Sequence, residues 1–417
     1  MPRWCSARFA SRRAALLLAL ALAGCGQALS PAAVFAPRQP YASPPPAAIA
    51  SQPLNPPAQE PNSATVKVAI LLPLSGANAD LGKAMLEAAQ LALFTTGSDR
   101  MTLVPRDTTG TVAGAADAAR AVIADGARLI LGPLVADEVD AVKTIAQGAH
   151  INVIAFATKT EVAGGNVFLI GFLPRQEVAR EVSFAHERGL NRIAALAPNS
   201  PYGHLMADSL KDIAAQTGGA PPRVEFFDPR ADTAAAVKRL VSGGATAAAG
   251  APPPGSAAAF DALLLPEGGD ALKQIARQLK AAGIDTSQTR LLGSGLWDDP
   301  SIVDEPALQG GWFAASPPDA RDEFDSRYRK AYGREPPRLA SLAFDAAALA
   351  AVLAKNPDPD PFSPQAIENP NGFTGVDGLF RFTAEGLVQR GLAVLEVAPG
   401  GARVVSPAPR NFQDFAY

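Results

Sequence analysis

Residues 66–83 read VKVAILLPLSGANADLGK, and this stretch decides the fold. Val66, Val68, Ala69, Ile70, Leu71 and Leu72 form a nearly unbroken apolar run, too short for a free-standing helix and closed by Pro73. Such a run suits a strand buried on both faces, as in a parallel sheet covered by helices. Ser75, Gly76 and Asn78 mark a turn, and Asp80 is expected to cap a helix beginning near Leu81. The loop therefore leaves the carboxyl end of a central strand, where open α/β sheets hold their ligands. It is not a phosphate loop: Gly76 and Gly82-Lys83 are separated by one residue too many, and Ala84 lacks the magnesium-holding hydroxyl.

Downstream, the same pattern repeats. Strands are expected at 101–106, 128–131, 152–156 and 167–172, with helices at 112–124 and 136–147. A second series begins after Pro174, with helices at 177–188, 205–215 and 233–241 and strands at 192–197 and 224–227. Residues 243–259 are rich in Gly, Ala and Pro and read as a surface loop. Alternation resumes with a strand at 261–265 and a helix whose Leu272, Ile275, Ala276 and Leu279 share one face. Strands at 291–293 and 311–314 follow, then a helix lined by Phe324, Tyr328 and Tyr332, a helix at 341–353, and a hairpin around Pro399-Gly400-Gly401. Two such series predict an α/β fold of two lobes, each a mostly parallel sheet flanked by helices.

Composition limits the chemistry. A net charge of −3, with no basic stripe, gives no reason to expect nucleic acid. Two cysteines and three histidines leave little material for metal sites, and no metal or cofactor is expected. His150, His186 and His204 stand in three different elements, and no Gly-x-Ser-x-Gly elbow is present, so an enzyme is not expected. Asp137, Glu138 and Asp140 read as the solvated start of a helix rather than a metal cluster.

The N-terminus reads as a targeting segment. Arg3, Arg8, Arg12 and Arg13 precede the short apolar run Ala14–Ala21, the pattern of a secretory signal. Residues 27–65 carry prolines throughout and no apolar periodicity, so they read as an extended tether.

Leu72-Pro73-Leu74-Ser75-Gly76, with Gly82 after it, resembles the opening of the type I periplasmic binding proteins, the leucine/isoleucine/valine-binding group. The resemblance runs from Val66 to the C-terminus and implies a two-lobed clamshell, lobe 1 being 66–172 plus 314–365 and lobe 2 being 173–313 plus 366–417. It implies a ligand cleft between the lobes, lined by Ser75, Leu81, Val135, Ala136, Ala157, Thr158, Tyr202, Glu267 and Trp297. Leu22-Ala23-Gly24-Cys25 matches the bacterial lipobox, which implies a signal peptide over 1–24, a lipidated Cys25 and a tether over 25–65. Gly26, where an aspartate would resemble an inner-membrane retention signal, favours a lipid anchor in the inner leaflet of the outer membrane.

Departures from the amino-acid-binding pattern accompany this. Ala136 stands where those proteins carry a serine, and Leu81 where they carry a stacking aromatic. Gly295-Leu296-Trp297 stands where an ammonium-binding acid is expected, with Asp298 nearby, and Lys159 adds a cation. The lipobox, the tether, the opening VAILLPLSG, the run VIAFATKTEVAGGNVFLIGF at 153–172 and the tail Gln389-Arg390-Gly391-Leu392 more closely resemble a branch of this superfamily, the lipoprotein activators of penicillin-binding proteins. Two readings therefore stand: a tethered activator that contacts a peptidoglycan synthase, and a lipoprotein that delivers an amino acid or related solute to an ABC permease.

Overall fold

The computed structural model describes residues 65–231, 233–242 and 260–413; the signal segment, Cys25, almost all of the tether and the 243–259 loop lie outside them. The first series is β1 (Val66–Leu72), α1 (Ala79–Thr96), β2 (Met101–Asp107), α2 (Val112–Ala124), β3 (Leu129–Leu131), α3 (Ala136–Gly148), β4 (Asn152–Ala155) and β5 (Val167–Leu169). Its strands pair in parallel in the order β2-β1-β3-β4-β5. Val68 to Leu72 are fully buried, as the unbroken apolar run requires. Val68, Ile70 and Leu72 enter one core layer, whereas Ala69 and Leu71 enter the layer on the opposite face, following the two-residue period of a strand.

Helix α1 begins two residues before the expected start. Asp80 lies in its first turn rather than at its cap, and Asn78 makes no side-chain capping bond. An acid in the first turn is still favoured by the helix dipole. Two glycines set the geometry of this unit. Gly76 holds a φ of +78°, and a Cβ on Gly82 would stand 2.1 Å from the Pro73 carbonyl oxygen.

The second series is α4 (Pro174–Glu187), β6 (Ile193–Pro198), α5 (Pro201–Gln216), β7 (Arg223–Phe227), α6 (Ala234–Ser242), β8 (Ala262–Leu264), α7 (Gly269–Ala281), β9 (Arg290–Leu292) and β10 (Trp312–Ala315). The chain continues as α8 (Pro318–Tyr332), α9 (Ala340–Ala354), α10 (Pro364–Ile367), β11 (Phe373–Gly375), β12 (Gly378–Phe382) and β13 (Val388–Arg390), then as β14 (Ala393–Ala398) and β15 (Gly401–Ser406). The second sheet has the order β15-β14-β10-β9-β8-β6-β7, parallel from β10 to β7 and closed by the antiparallel hairpin β14–β15. It reuses the packing device of the first: a Cβ on Gly203 of α5 would lie 2.0 Å from the Pro198 carbonyl oxygen.

The two cores divide the chain differently from the expected lobes. Ala314 and Ala315 belong to β10 in the second sheet. Ile367, Phe380, Phe382 and Val388, expected in lobe 2, are buried in the first lobe's core with α1 and α9. Lobe 1 is thus 66–172 plus 317–390, and lobe 2 is 173–316 plus 391–413. The short β11–β13 strands alternate clearly in sequence, but alternation does not say which core their apolar face meets. Among the described residues no helix is long and apolar enough to cross a membrane.

Candidate functional site

The chain passes between lobes three times, after β5, after β10 and after β13, and the crossings are tied to one another. Arg390, at the end of β13, donates from Nη2 to the Ile170 carbonyl at 2.6 Å and lies over the Phe172 ring. Gln176, in the first turn of α4, accepts from the Arg390 N–H at 3.0 Å and donates to the Val388 carbonyl. Arg338, just before α9, lies 3.9 Å over the Phe172 ring centroid. Its Nη1 donates to Asp377 Oδ1 at 2.9 Å, and Asp377 also accepts from the Ser316 hydroxyl at 3.2 Å. Arg338 Nε also stands 3.8 Å from Asp298 Oδ2, on the lobe 2 loop after β9.

The segment 373–382, FTGVDGLFRF, supplies the base of this junction. Asp345 of α9, fully buried, accepts from the N–H groups of Val376 and Asp377 at 2.7 and 3.4 Å. A Cβ on Gly375 would stand 2.3 Å from the Asp345 carboxylate, so glycine is required there. Burial, then the charge of Asp377, pushes the Asp345 carboxyl up to about 7. Burial also opposes ionisation of Asp377, but Arg338, Arg390 and Arg321 outweigh it and hold that carboxyl below its usual range.

On the lobe 1 wall, Ser75 and Thr158 are exposed, Leu81 and Ala136 are half-buried against the core, and Ala157 is buried. Val135 is partly exposed just before α3. Asp107, at the end of β2, was not legible as a site residue in the sequence. It accepts from the N–H groups of Leu74, Ser75 and Thr109 at 2.8, 3.2 and 2.7 Å. Burial pushes its carboxyl up, but the Ser75 hydroxyl and these amides prevail and keep it below the usual range. Asp107 therefore fixes the loop that presents Ser75. Glu138 departs from the solvated reading: it is 1% exposed, and burial raises its carboxyl pKa against a bond from Thr108.

On the lobe 2 wall, Tyr202 is half-buried in the first turn of α5, which starts four residues before the expected helix. Burial raises its phenol, the nearby charge of Glu177 raises it further, and its hydroxyl bonds the Ser294 hydroxyl. It is a neutral phenol at any physiological pH. Glu267 is half-buried on the loop after β8, where its Oε1 accepts from the Gly268 N–H at 3.1 Å. Trp297 is a correction. It is 1% exposed within the lobe 2 core, its Nε1 donating to the Leu265 carbonyl at 3.2 Å. A Cβ on Gly293 or Gly311 would overlap its indole, so the glycines form a slot for it. Trp297 joins the loops after β8 and β9 from beneath; it does not line the cleft.

Two acids behind this wall escaped the sequence reading. Glu177 accepts from the Gly295 N–H at 3.0 Å, and burial pushes its carboxyl up to about 7 against that bond and the charge of Arg338. Glu181, one turn later, accepts from the Ala314 N–H at 2.7 Å and is pushed well up by burial. Their spacing matches the buried Val178 and Val182, but acids one turn apart beside Arg180 read equally well as a solvated face. This region is acid-rich: Glu177, Glu181 and Glu267 lie near one neutral phenol, and Asp298 faces Arg338. Among the described residues no group of three or more His, Cys, Asp or Glu side chains is placed to hold a metal ion.

Comparison with known proteins agrees with this architecture. A family model described as periplasmic binding protein matches residues 65–402. A branched-chain amino acid ABC transporter periplasmic ligand-binding protein from Burkholderia xenovorans superimposes with a TM-score of 0.67, at 17% identity over 85% of this chain and 97% of its own. LivJ from Streptococcus pneumoniae, a branched-chain amino acid transporter substrate-binding protein solved with isoleucine, gives 0.57 at 21% identity over 82% and 100%. A solute-binding ABC transporter protein from R. palustris, solved with benzoate, gives 0.57 at 18% over 83% and 98%. No curated protein matches. With the family model spanning both lobes and the crossings between them, the chain belongs to the type I periplasmic binding proteins.

Proposed function

We propose that this protein is a solute receptor that closes two lobes on a small amine- or carboxylate-bearing molecule, of the amino acid or aromatic acid class, and delivers it to an ABC permease. The observation that carries this reading is the lobe 2 wall. There Tyr202, in the first turn of α5, and Glu267, on the loop after β8, hold a neutral and an acidic hydrogen-bonding group at the carboxyl ends of the strands. The solved relatives named for amino acid and benzoate binding supply the ligand classes to try. Ser75 and Thr158 would contact the ligand from lobe 1, and the three tied crossings would form the hinge. The reading is of a non-catalytic binding protein.

The second reading, activation of a penicillin-binding protein by contact, is supported by the lipobox at Cys25 and the proline-rich tether that follows it. Both readings place the protein in the periplasm on a lipid anchor, and they differ in what the cleft does. Calorimetric titration of the purified protein with L-leucine, L-isoleucine and benzoate tests the first. Saturable binding that weakens in Glu267→Ala or Tyr202→Phe supports it. No binding of any amino acid or aromatic acid, together with retention of a penicillin-binding protein on the immobilised protein, replaces it with the second.

A further inference from the structure

A second concave site lies at the opposite end of lobe 2. The cleft loops leave the carboxyl ends of the strands, whereas Arg290 and Trp312 are the first residues of β9 and β10. With Arg188, Leu190, Ser287 and Gln288 they line a cavity of about 310 Å³. That is at the small end of ligand-pocket sizes, roughly 300–1,000 Å³.

Both arginines are laid on a pair of touching rings. The Arg188 guanidinium lies 4.6 Å over the Phe184 ring centroid, and the Arg290 guanidinium lies 4.5 Å over Trp312. Phe184 and Trp312 meet edge to face at 4.7 Å. A guanidinium laid on an aromatic face is held in orientation, and its N–H edge stays available for a planar oxyanion. That edge is largely unused. Among the described residues Arg188 makes no ion pair or side-chain hydrogen bond, and Arg290 spends only Nη1, on the Gly310 carbonyl.

The neighbouring acids are already engaged. Asp285 accepts from the Ser287 N–H and hydroxyl at 2.9 and 2.7 Å and from Gln288 at 3.3 Å. Glu396 accepts from Trp312 Nε1 at 3.1 Å and from Arg403 at 3.1 and 2.7 Å. It shares its charge with Arg290 without a direct bond. Two arginines thus face the cavity against one acid that is shared with Arg403 and one that is tied to its own turn. Burial lowers the Arg290 pKa, with Glu396 only partly opposing it, which fits a cation short of counter-charge.

We propose that this cavity is a second ligand site, distinct from the cleft, that takes a small molecule bearing a carboxylate or phosphate group through the paired edges of Arg188 and Arg290. The site does not depend on what the cleft binds. The test is calorimetric titration of the purified protein with citrate, and separately with inorganic phosphate, at low ionic strength. Wild type is compared with Arg188→Gln and with the cleft variant Tyr202→Phe. Arg188 is exposed, so Arg188→Gln should keep the wild-type melting temperature. Losing one charge-assisted contact should weaken binding about tenfold or more. Tyr202→Phe should bind the probe as wild type does. Preference for citrate assigns the site to carboxylates, and preference for phosphate assigns it to phosphorylated molecules. The proposal is overturned if neither probe binds wild type, if Arg188→Gln binds equally well, or if Tyr202→Phe abolishes binding.

Discussion

Arg338 donates to Asp377 at 2.9 Å, and this pair lies where both lobes meet. Asp377 is fully buried on the β11–β12 turn of lobe 1, whereas Arg338 also reaches within 3.8 Å of Asp298 in lobe 2. One guanidinium therefore neutralises a buried lobe 1 acid, stacks on the Phe172 crossing and faces a loop of the opposite wall. A fork of planar donors serves these directions together; a lysine ammonium is a single point charge.

Arg338→Ala leaves the buried Asp377 with only the longer 3.8 Å pair to Arg321 and the charge of Arg390. Breaking one side of a buried pair costs about 3 kcal/mol or more. The denaturant midpoint should fall accordingly, and Arg338→Lys should recover only part of the loss. A midpoint unchanged in Arg338→Ala would show that the pair contributes nothing to the hinge.

Glu177 titrates near 7 in the fold, against an ordinary value of 4.5. The folded protein thus holds a proton that the unfolded chain releases. Stability from this group is full below its unfolded pKa and is lost as the pH rises through its folded pKa, by about 1.4 kcal/mol for each pH unit separating the two. Asp345, raised to about 7 from 3.8, adds a slope of the same sign. The melting temperature should therefore carry a downward component between mildly acidic and mildly alkaline pH. Glu177→Gln keeps an acceptor for the Gly295 N–H and should flatten that slope without abolishing it. An identical slope in wild type and variant would contradict the assignment.

Trp297→Ala separates core from cleft. A buried indole replaced by alanine costs about 3–5 kcal/mol, whereas a cleft-lining aromatic would cost affinity and little stability. A large drop in the urea midpoint is expected. Near-wild-type stability with lost ligand binding would restore Trp297 to the cleft.

Gly82→Ala places a methyl group against the Pro73 carbonyl oxygen, at a 2.1 Å contact that requires the helix to shift. Overpacking of this kind costs about 1–3 kcal/mol or more. Gly148→Ala, with no atom within 4 Å of the added carbon, is the control. It should be neutral or stabilising by up to about 1 kcal/mol, as expected at the end of a helix. Equal effects from the two changes would mean that the α1 approach to the β1 loop is not tight.

The strand–helix alternation was legible because a strand buried on both faces leaves a run such as Val68–Leu72, which few other structures produce. The cleft was legible as loops, since strand ends follow from the same runs. Its chemistry was less so. Glu177 and Glu181 sit on a helix whose charges look solvated, and only the packing of α4 against β10 and the loop after β9 turns them inward. Trp297 was misplaced because an aromatic on a predicted cleft loop gives no sign of the glycine slot that takes it into the core. The second crossing fell three residues beyond its expected position, since Trp312–Ala315 shows where the apolar run lies and not which sheet it joins.

A solute held between the two lobes would stabilise the folded protein. The most direct measurement is the melting temperature of the purified protein with and without each member of a panel of free amino acids and aromatic carboxylates. Ligand that binds only the folded state raises the midpoint, by about 2.7 kcal/mol of stabilisation at a hundredfold excess over Kd. A clear rise is expected with at least one member, and a smaller rise in Glu267→Ala. No rise with any member of the panel would contradict it and turn attention to protein partners.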